Sequence, residues 1–162
     1  MLLIILSASM VGSHFAKRLI ERVSALECAL RLYRYLHDRL KFLQPGVISL
    51  IDAAVQSGEF EKLSFLRECR ENMKDSGDFA DSWKKALENN TSSLGREASA
   101  VMASLSGVLG KTDLESQLAA IDYGAALLEK RLENAREYAK KHQRLYRTLG
   151  VLAGALVVAL IA

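Results

Sequence analysis

The chain has 162 residues, of which half are apolar and a quarter charged, with 22 Lys and Arg against 19 Asp and Glu. This length gives room for one domain. A single proline among abundant Ala, Leu, Glu, Lys and Arg favours helix. The basic side chains are concentrated in two bands, at 17–41 and 129–147, and each band lies beside an uncharged end of the chain. This arrangement argues against a nucleic-acid partner.

The first predicted element is a membrane segment at residues 1–16, which contain no Lys, Arg, Asp or Glu. It is shorter than the ~20 apolar residues of a usual spanning helix. Lys17 and Arg18 follow the apolar run instead of preceding it, which argues against a cleaved signal peptide. Small residues recur every fourth position, a spacing that lets helices pack closely in lipid: Ala8, Gly12 and Ala16. Alternatively, Ala and Gly are simply common in membrane helices.

The middle of the chain predicts one long helix followed by four short ones. The long helix continues out of the first segment to Leu43, where Pro45 and Gly46 end it. Its apolar stripe has steps of three and four residues and consists of Leu26, Leu30, Tyr33, Leu40 and Leu43. His37 fills the remaining place on this stripe. Apolar periodicity and Gly-containing breaks place the short helices at 47–56, 60–73, 79–88 and 94–109.

The last helix is the clearest predicted element. Its apolar seam alternates steps of three and four residues, as in a coiled coil, from Leu118 through Leu128 and Leu132 to Leu149. It continues into a second uncharged segment at 148–162, where Gly150 and Gly154 repeat the small-residue spacing.

The elements together predict an all-α bundle of about six helices. Two long antiparallel helices continue into terminal membrane anchors, and nothing alternates with a period of two, so no sheet is expected. The basic bands predict a cytoplasmic domain at 17–147 with both termini outside. The alternative is that both end segments are buried core helices or interfacial helices.

The sequence contains no set of residues that predicts chemistry. His14, His37 and His142 lie too far apart on the predicted helices to share a metal ion, and Cys28 and Cys69 lack CxxC spacing. The stretch 107–112 ends like a phosphate-binding loop, but position 105 lacks the first glycine and a helix precedes it. We therefore predict no catalytic residue, metal, cofactor or small-molecule substrate. Thr112 and Glu115 fit a capping box that begins the last helix.

Three stretches resemble one known family. They are Phe15–Leu19 with Glu21 and Arg22; Leu109 and Gly110 with Asp113, Glu115, Ser116 and Gln117; and Tyr146–Gly150 with Leu152 and Gly154. With these motifs, the length and the two-anchor layout, the chain resembles the stage III sporulation protein AB family of endospore-forming bacteria.

The resemblance implies a protein of the mother-cell membrane that faces the forespore, within a channel or secretion-like complex. The family's cytoplasmic domain is similar to inner-membrane platform proteins of type II secretion and type IV pilus systems. The implied partners are a stage III sporulation protein AA-type ATPase, the AC–AH proteins and membrane lipid.

Two functions follow as hypotheses. The first is a non-enzymatic scaffold that couples the ATPase to the membrane assembly, and the alternative is a membrane-tethered adaptor or regulator that recruits a soluble partner without a channel. Because the predicted capping box leaves Asp113 and Gln117 of the resembling motif without a role, we expect both side chains to face a partner, with Lys111 beside them.

Overall fold

The computed structural model describes the backbone of residues 2–161 and the side chains of residues 17–91 and 93–142. The main helices are α1 (Leu2–Leu43), α2 (Val47–Gln56), α3 (Ser64–Ser76), α4 (Phe79–Asn89), α6 (Arg96–Ser104) and α7 (Leu114–Ile161). A single turn, α5 (Thr91–Leu94), and a 3-10 helix (Leu105–Gly107) complete the fold. The described residues form no strand, and the predicted all-α bundle is confirmed.

Helices α1 and α7 form an antiparallel pair that runs the length of the bundle. Arg136 donates to the Glu27 carboxylate at 2.6 Å, and His37 Nε2 lies 3.7 Å from Asp122 at the other end of the overlap. The predicted stripes face each other between these contacts, and the following side chains on them are at most 7% exposed: Leu26, Leu30, Tyr33, Leu40, Ile121, Leu128 and Leu132. Leu43 is an exception, because it is 63% exposed.

One glycine lets the two long helices come close together. A Cβ on Gly124 of α7 would lie within 3.0 Å of Cε1 of Tyr33. Tyr33 is fully buried, and its hydroxyl donates to the Val101 carbonyl of α6 at 3.3 Å. A glycine inside a helix lowers stability by about 1 kcal/mol relative to alanine. The space that Gly124 leaves for the Tyr33 ring between α1, α6 and α7 explains why glycine is present despite this cost.

The shorter helices share a core around Trp83 of α4. Its ring lies 5.0 Å from that of Phe65 of α3 at 89°, the edge-to-face arrangement that aromatic pairs prefer. The indole Nε1 donates to the Met102 carbonyl of α6 at 2.7 Å. Trp83 therefore ties α3, α4 and α6 together with its one polar group satisfied.

The structure moves two predicted helix boundaries. Helix α3 begins at Ser64, not at residue 60, because the chain first makes a turn in which the Leu63 amide donates to the Phe60 carbonyl at 2.8 Å. The predicted helix 94–109 is divided, because Gly95 has a φ of +82°, outside the helical region. Helix α6 starts after it and passes into the 3-10 helix at Leu105.

The predicted membrane segments, 1–16 and 148–162, lie outside the residues whose side chains are described, and so do Ala8, Gly12, Ala16, Gly150 and Gly154. Among the described residues, no helix has the length and apolar content needed to cross a membrane. The division into two anchors and a domain at 17–147 stays a prediction.

Candidate functional site

The resembling motif of residues 109–117 lies where α7 begins, beside the end of α1. We define the tip as residues 41–48 and 108–117, which surround this junction. From Lys17 to Leu43, α1 spans about 40 Å at a rise of ~1.5 Å per residue. The tip is therefore at the opposite end of the α1–α7 pair from the uncharged segments.

Asp113 caps the N-terminus of α7. Its carboxylate accepts from the Ser116 amide at 2.9 Å and from the Ser116 hydroxyl at 2.6 Å. These hydrogen bonds hold the pKa of the Asp113 carboxyl below its ordinary range, because they favour the ionised form. The predicted capping residues are thus corrected: the Thr112 hydroxyl donates to the Val108 carbonyl at 3.3 Å, and Glu115 is exposed. Asp-x-x-Ser performs the capping here, one residue later than Thr-x-x-Glu.

Gln117 stabilises the turn that precedes α7 through hydrogen bonds. Its amide nitrogen donates to the Thr112 carbonyl at 2.7 Å, and its amide oxygen accepts from the Gly110 amide at 3.1 Å. The side chain is 9% exposed. Both ends of its amide bind the chain's own backbone, which favours a structural role for this side chain. The expectation that Gln117 faces a partner stays a prediction.

Gly110 brings the same turn against α2. Its φ is +73°, in the left-handed region that favours glycine, and a Cβ there would lie 2.5 Å from Val47 Cγ2. The turn consequently lies against the first residue of α2. Lys111 follows directly and is exposed.

The rest of the tip displays apolar side chains. Phe42 is 75% exposed, Leu43 63% and Ile48 51%. The Lys41 ammonium lies 5.8 Å from the centre of the Phe42 ring, within the range of a cation–π contact. Exposed large apolar side chains that lie close to one another are typical of protein-binding surfaces.

Sequence reasoning missed this surface because it assigned Leu43 to the buried stripe. The stripe continues with correct spacing, but α1 ends at Leu43 and no described element covers that last turn. Gln44 follows with a φ of +45°, the only positive value of a non-glycine residue among the described residues. The Pro45-Gly46 pair was the signal in the sequence that could have indicated the exposure of Leu43. It ends α1, and the last turn of a helix that ends at the surface has no partner helix to cover it.

Both cysteines are buried inside the bundle. Burial raises the pKa of the Cys69 thiol to about 12, with a smaller contribution from the Glu68 carboxylate. Burial also raises the pKa of Cys28, whose sulfur lies 3.8 Å from the Glu59 carbonyl. Because thiolates are the reactive form, both positions are expected to react slowly with alkylating reagents.

Fold and tip together define a helical-bundle protein whose motif residues hold a turn beside an exposed apolar surface. The family model of stage III sporulation protein AB matches residues 1–162. The chain belongs to the stage III sporulation protein AB family, as its motifs predicted. No curated protein and no solved structure matches the chain. Family membership gives the protein a role in stage III of sporulation, in company with other sporulation proteins.

Proposed function

We propose that the protein is a non-enzymatic platform subunit of the sporulation channel between mother cell and forespore. Its terminal segments anchor it in the mother-cell membrane that faces the forespore, with both termini outside. The bundle extends into the cytoplasm and couples a stage III sporulation protein AA-type ATPase to the membrane assembly formed with the AC–AH proteins.

The observation that carries this proposal is the exposed apolar tip at the far end of the α1–α7 pair. Phe42, Leu43 and Ile48 are all more than half exposed, and large apolar side chains in this arrangement mark interaction sites. If the uncharged ends lie in the membrane, the tip is the part of the bundle farthest from it. A cytoplasmic ATPase would reach that position without touching lipid.

The motif of residues 109–117 also supports the tip as the partner-binding surface, but through the shape of the turn and not through direct contact by Asp113 and Gln117. Asp113 and Gln117 hold the turn through hydrogen bonds, so their role at the tip is to fix its shape. Lys111 remains exposed and belongs to the proposed partner-binding surface together with the apolar side chains.

The test is binding of the purified ATPase to the full chain in lipid nanodiscs, measured by biolayer interferometry. Phe42→Asp combined with Ile48→Asp places two carboxylates on the surface. We expect binding to weaken by about tenfold or more, since a charge at the centre of an interface is costly to desolvate. Both positions are exposed, so the bundle should stay folded.

Tyr123→Asp is the matched control. Tyr123 is 69% exposed on α7 and lies about 15 Å from Asp113 along the helix. Its substitution should leave ATPase binding unchanged. Equal affinity of the double variant and the unaltered chain would contradict the proposal. Binding of the ATPase without recruitment of any AC–AH protein would favour the alternative, a membrane-tethered adaptor.

A further inference from the structure

The end of the bundle opposite the tip carries five exposed cations. We define the basic end as residues 17–22 and 138–142, where α1 and α7 lead toward the two uncharged segments. Its exposed cations are Lys17, Arg18, Arg22, Lys140 and Lys141. None of these five forms an ion pair with another residue whose side chain the structure describes. Their charges are thus available to an external anion.

Two large apolar side chains are exposed among these cations. Ile20 is 62% exposed and Tyr138 53%. The Tyr138 ring stacks on His142 with 4.0 Å between centroids. A groove of about 210 Å³ beside it is lined by Leu19 and Arg22 of α1 and by Ala135 and Tyr138 of α7, which places both helices on the same surface.

This combination matches the interface of a lipid bilayer more closely than a folded polyanion. Lysine and arginine near a membrane are attracted to anionic headgroups, while tyrosine concentrates at headgroup depth. An exposed aliphatic side chain such as Ile20 gains by entering the outer part of the acyl layer. A nucleic acid or an acidic protein segment would use the cations and leave Ile20 in water.

We propose that the basic end binds anionic phospholipid headgroups directly, with Ile20 and Tyr138 inserted at headgroup depth. The bundle is then held against an anionic membrane surface by its own folded residues as well as by the terminal segments. This inference rests on the proposed membrane function but needs no particular partner at the tip.

The experiment offers the full chain a choice of two membranes during cell-free synthesis. Equal amounts of phosphatidylcholine vesicles and of vesicles with about 30% phosphatidylglycerol carry different dyes, and flotation separates the bound protein. We expect a preference of severalfold for the anionic vesicles at low salt. The preference should shrink as NaCl approaches about 0.5 M, because added salt screens exposed charges.

Two charge-matched variants locate the preference. Replacing Lys17, Arg18, Lys140 and Lys141 by Gln should bring the ratio of bound protein close to one. The control replaces four exposed lysines that lie outside both the tip and the basic end: Lys74, Lys84, Lys85 and Lys130. It removes the same charge and should leave the preference in place. An equal loss in both variants would overturn the proposal, because net charge alone would then explain the preference.

The remaining outcomes separate this inference from the proposed function. Strong binding to both vesicle types without preference would overturn the headgroup contact and leave membrane attachment intact. Binding to neither would contradict both. Loss of the preference in about 10 mM inorganic phosphate at matched ionic strength would show that the cations hold a free anion, and would also overturn the proposal.

Ile20→Ser with Tyr138→Ser should reduce the preference, and an unchanged ratio would contradict insertion.

Discussion

Gly124 shows how a single missing methyl group sets the distance between α1 and α7. The Tyr33 ring occupies the space that a Cβ would need, and this ring is fully buried and hydrogen-bonded to α6. Gly124→Ala should therefore lower the free energy of unfolding by ~1–3 kcal/mol. This loss outweighs the gain of up to ~1 kcal/mol in helix propensity. Urea unfolding followed by the fluorescence of Trp83, the chain's one tryptophan, measures it.

Gly107→Ala is the control for this prediction. A Cβ on Gly107 would meet no atom within 4 Å. The substitution should leave stability unchanged or raise it slightly by restricting the unfolded chain. Stabilisation by Gly124→Ala of the same size would mean that α1 and α7 do not approach as closely as described.

Asp113 gives a prediction for pH dependence. Its folded-state pKa is lowered by hydrogen bonds from Ser116, so folding favours the ionised form. The resulting stability is fully present above the pKa of an unfolded aspartate, about 4, and is lost as the pH falls through the lower folded value. Asp113→Ala should thus lower the urea midpoint at neutral pH, and its difference from the unaltered chain should shrink in acid. A difference that is constant down to about pH 2 would contradict the cap.

Gln117 is predicted to stabilise the fold and not to contact the partner. Gln117→Ala removes hydrogen bonds to Gly110 and Thr112 and should cost ~1–3 kcal/mol in urea unfolding. Glu115→Ala, at an exposed neighbouring position, should change stability by no more than ~0.5 kcal/mol. Normal stability of Gln117→Ala with loss of ATPase binding would instead support the expectation that Gln117 faces the partner.

At the level of elements, the seam of α7 contributes Ile121, Leu128 and Leu132 to the buried core. Leu128 is fully buried against α1, while the adjacent Leu127 is only partly buried. Leu128→Ala should cost ~2–5 kcal/mol by creating a cavity. Leu127→Ala deletes the same atoms and should cost clearly less, and equal losses from the two substitutions would contradict the assigned face.

How much the sequence predicts also depends on the element. The periods of α1 and α7 identified the antiparallel pair because many buried positions repeat the same spacing. The helix 94–109 was predicted as continuous because Gly95 is only one residue in an apolar pattern, and its backbone angle cannot be read from that pattern. At the start of α7, Thr112-x-x-Glu115 and Asp113-x-x-Ser116 both satisfy capping chemistry, and tertiary contacts such as those of Gln117 select between them.

For the whole molecule, the structure describes an elongated pair of helices with different surfaces at its two ends. The tip exposes Phe42, Leu43 and Ile48, whereas the opposite end exposes five unpaired cations within the described region. The proposed platform places the first surface toward the ATPase and the second against the membrane. This account requires that the tip and the chain termini lie on opposite sides of the membrane.

Thiol labelling of the full chain in intact protoplasts of bacteria that are not sporulating tests that requirement most directly, because the cell membrane there faces the medium. One variant carries Ile48→Cys at the tip and another a cysteine appended after Ala162. The background should be low, because Cys28 and Cys69 are buried and their thiol pKa values are raised. A membrane-impermeant maleimide should label the appended cysteine in intact protoplasts and position 48 only after lysis. Labelling of position 48 before lysis, or of the appended cysteine only after it, would contradict the platform.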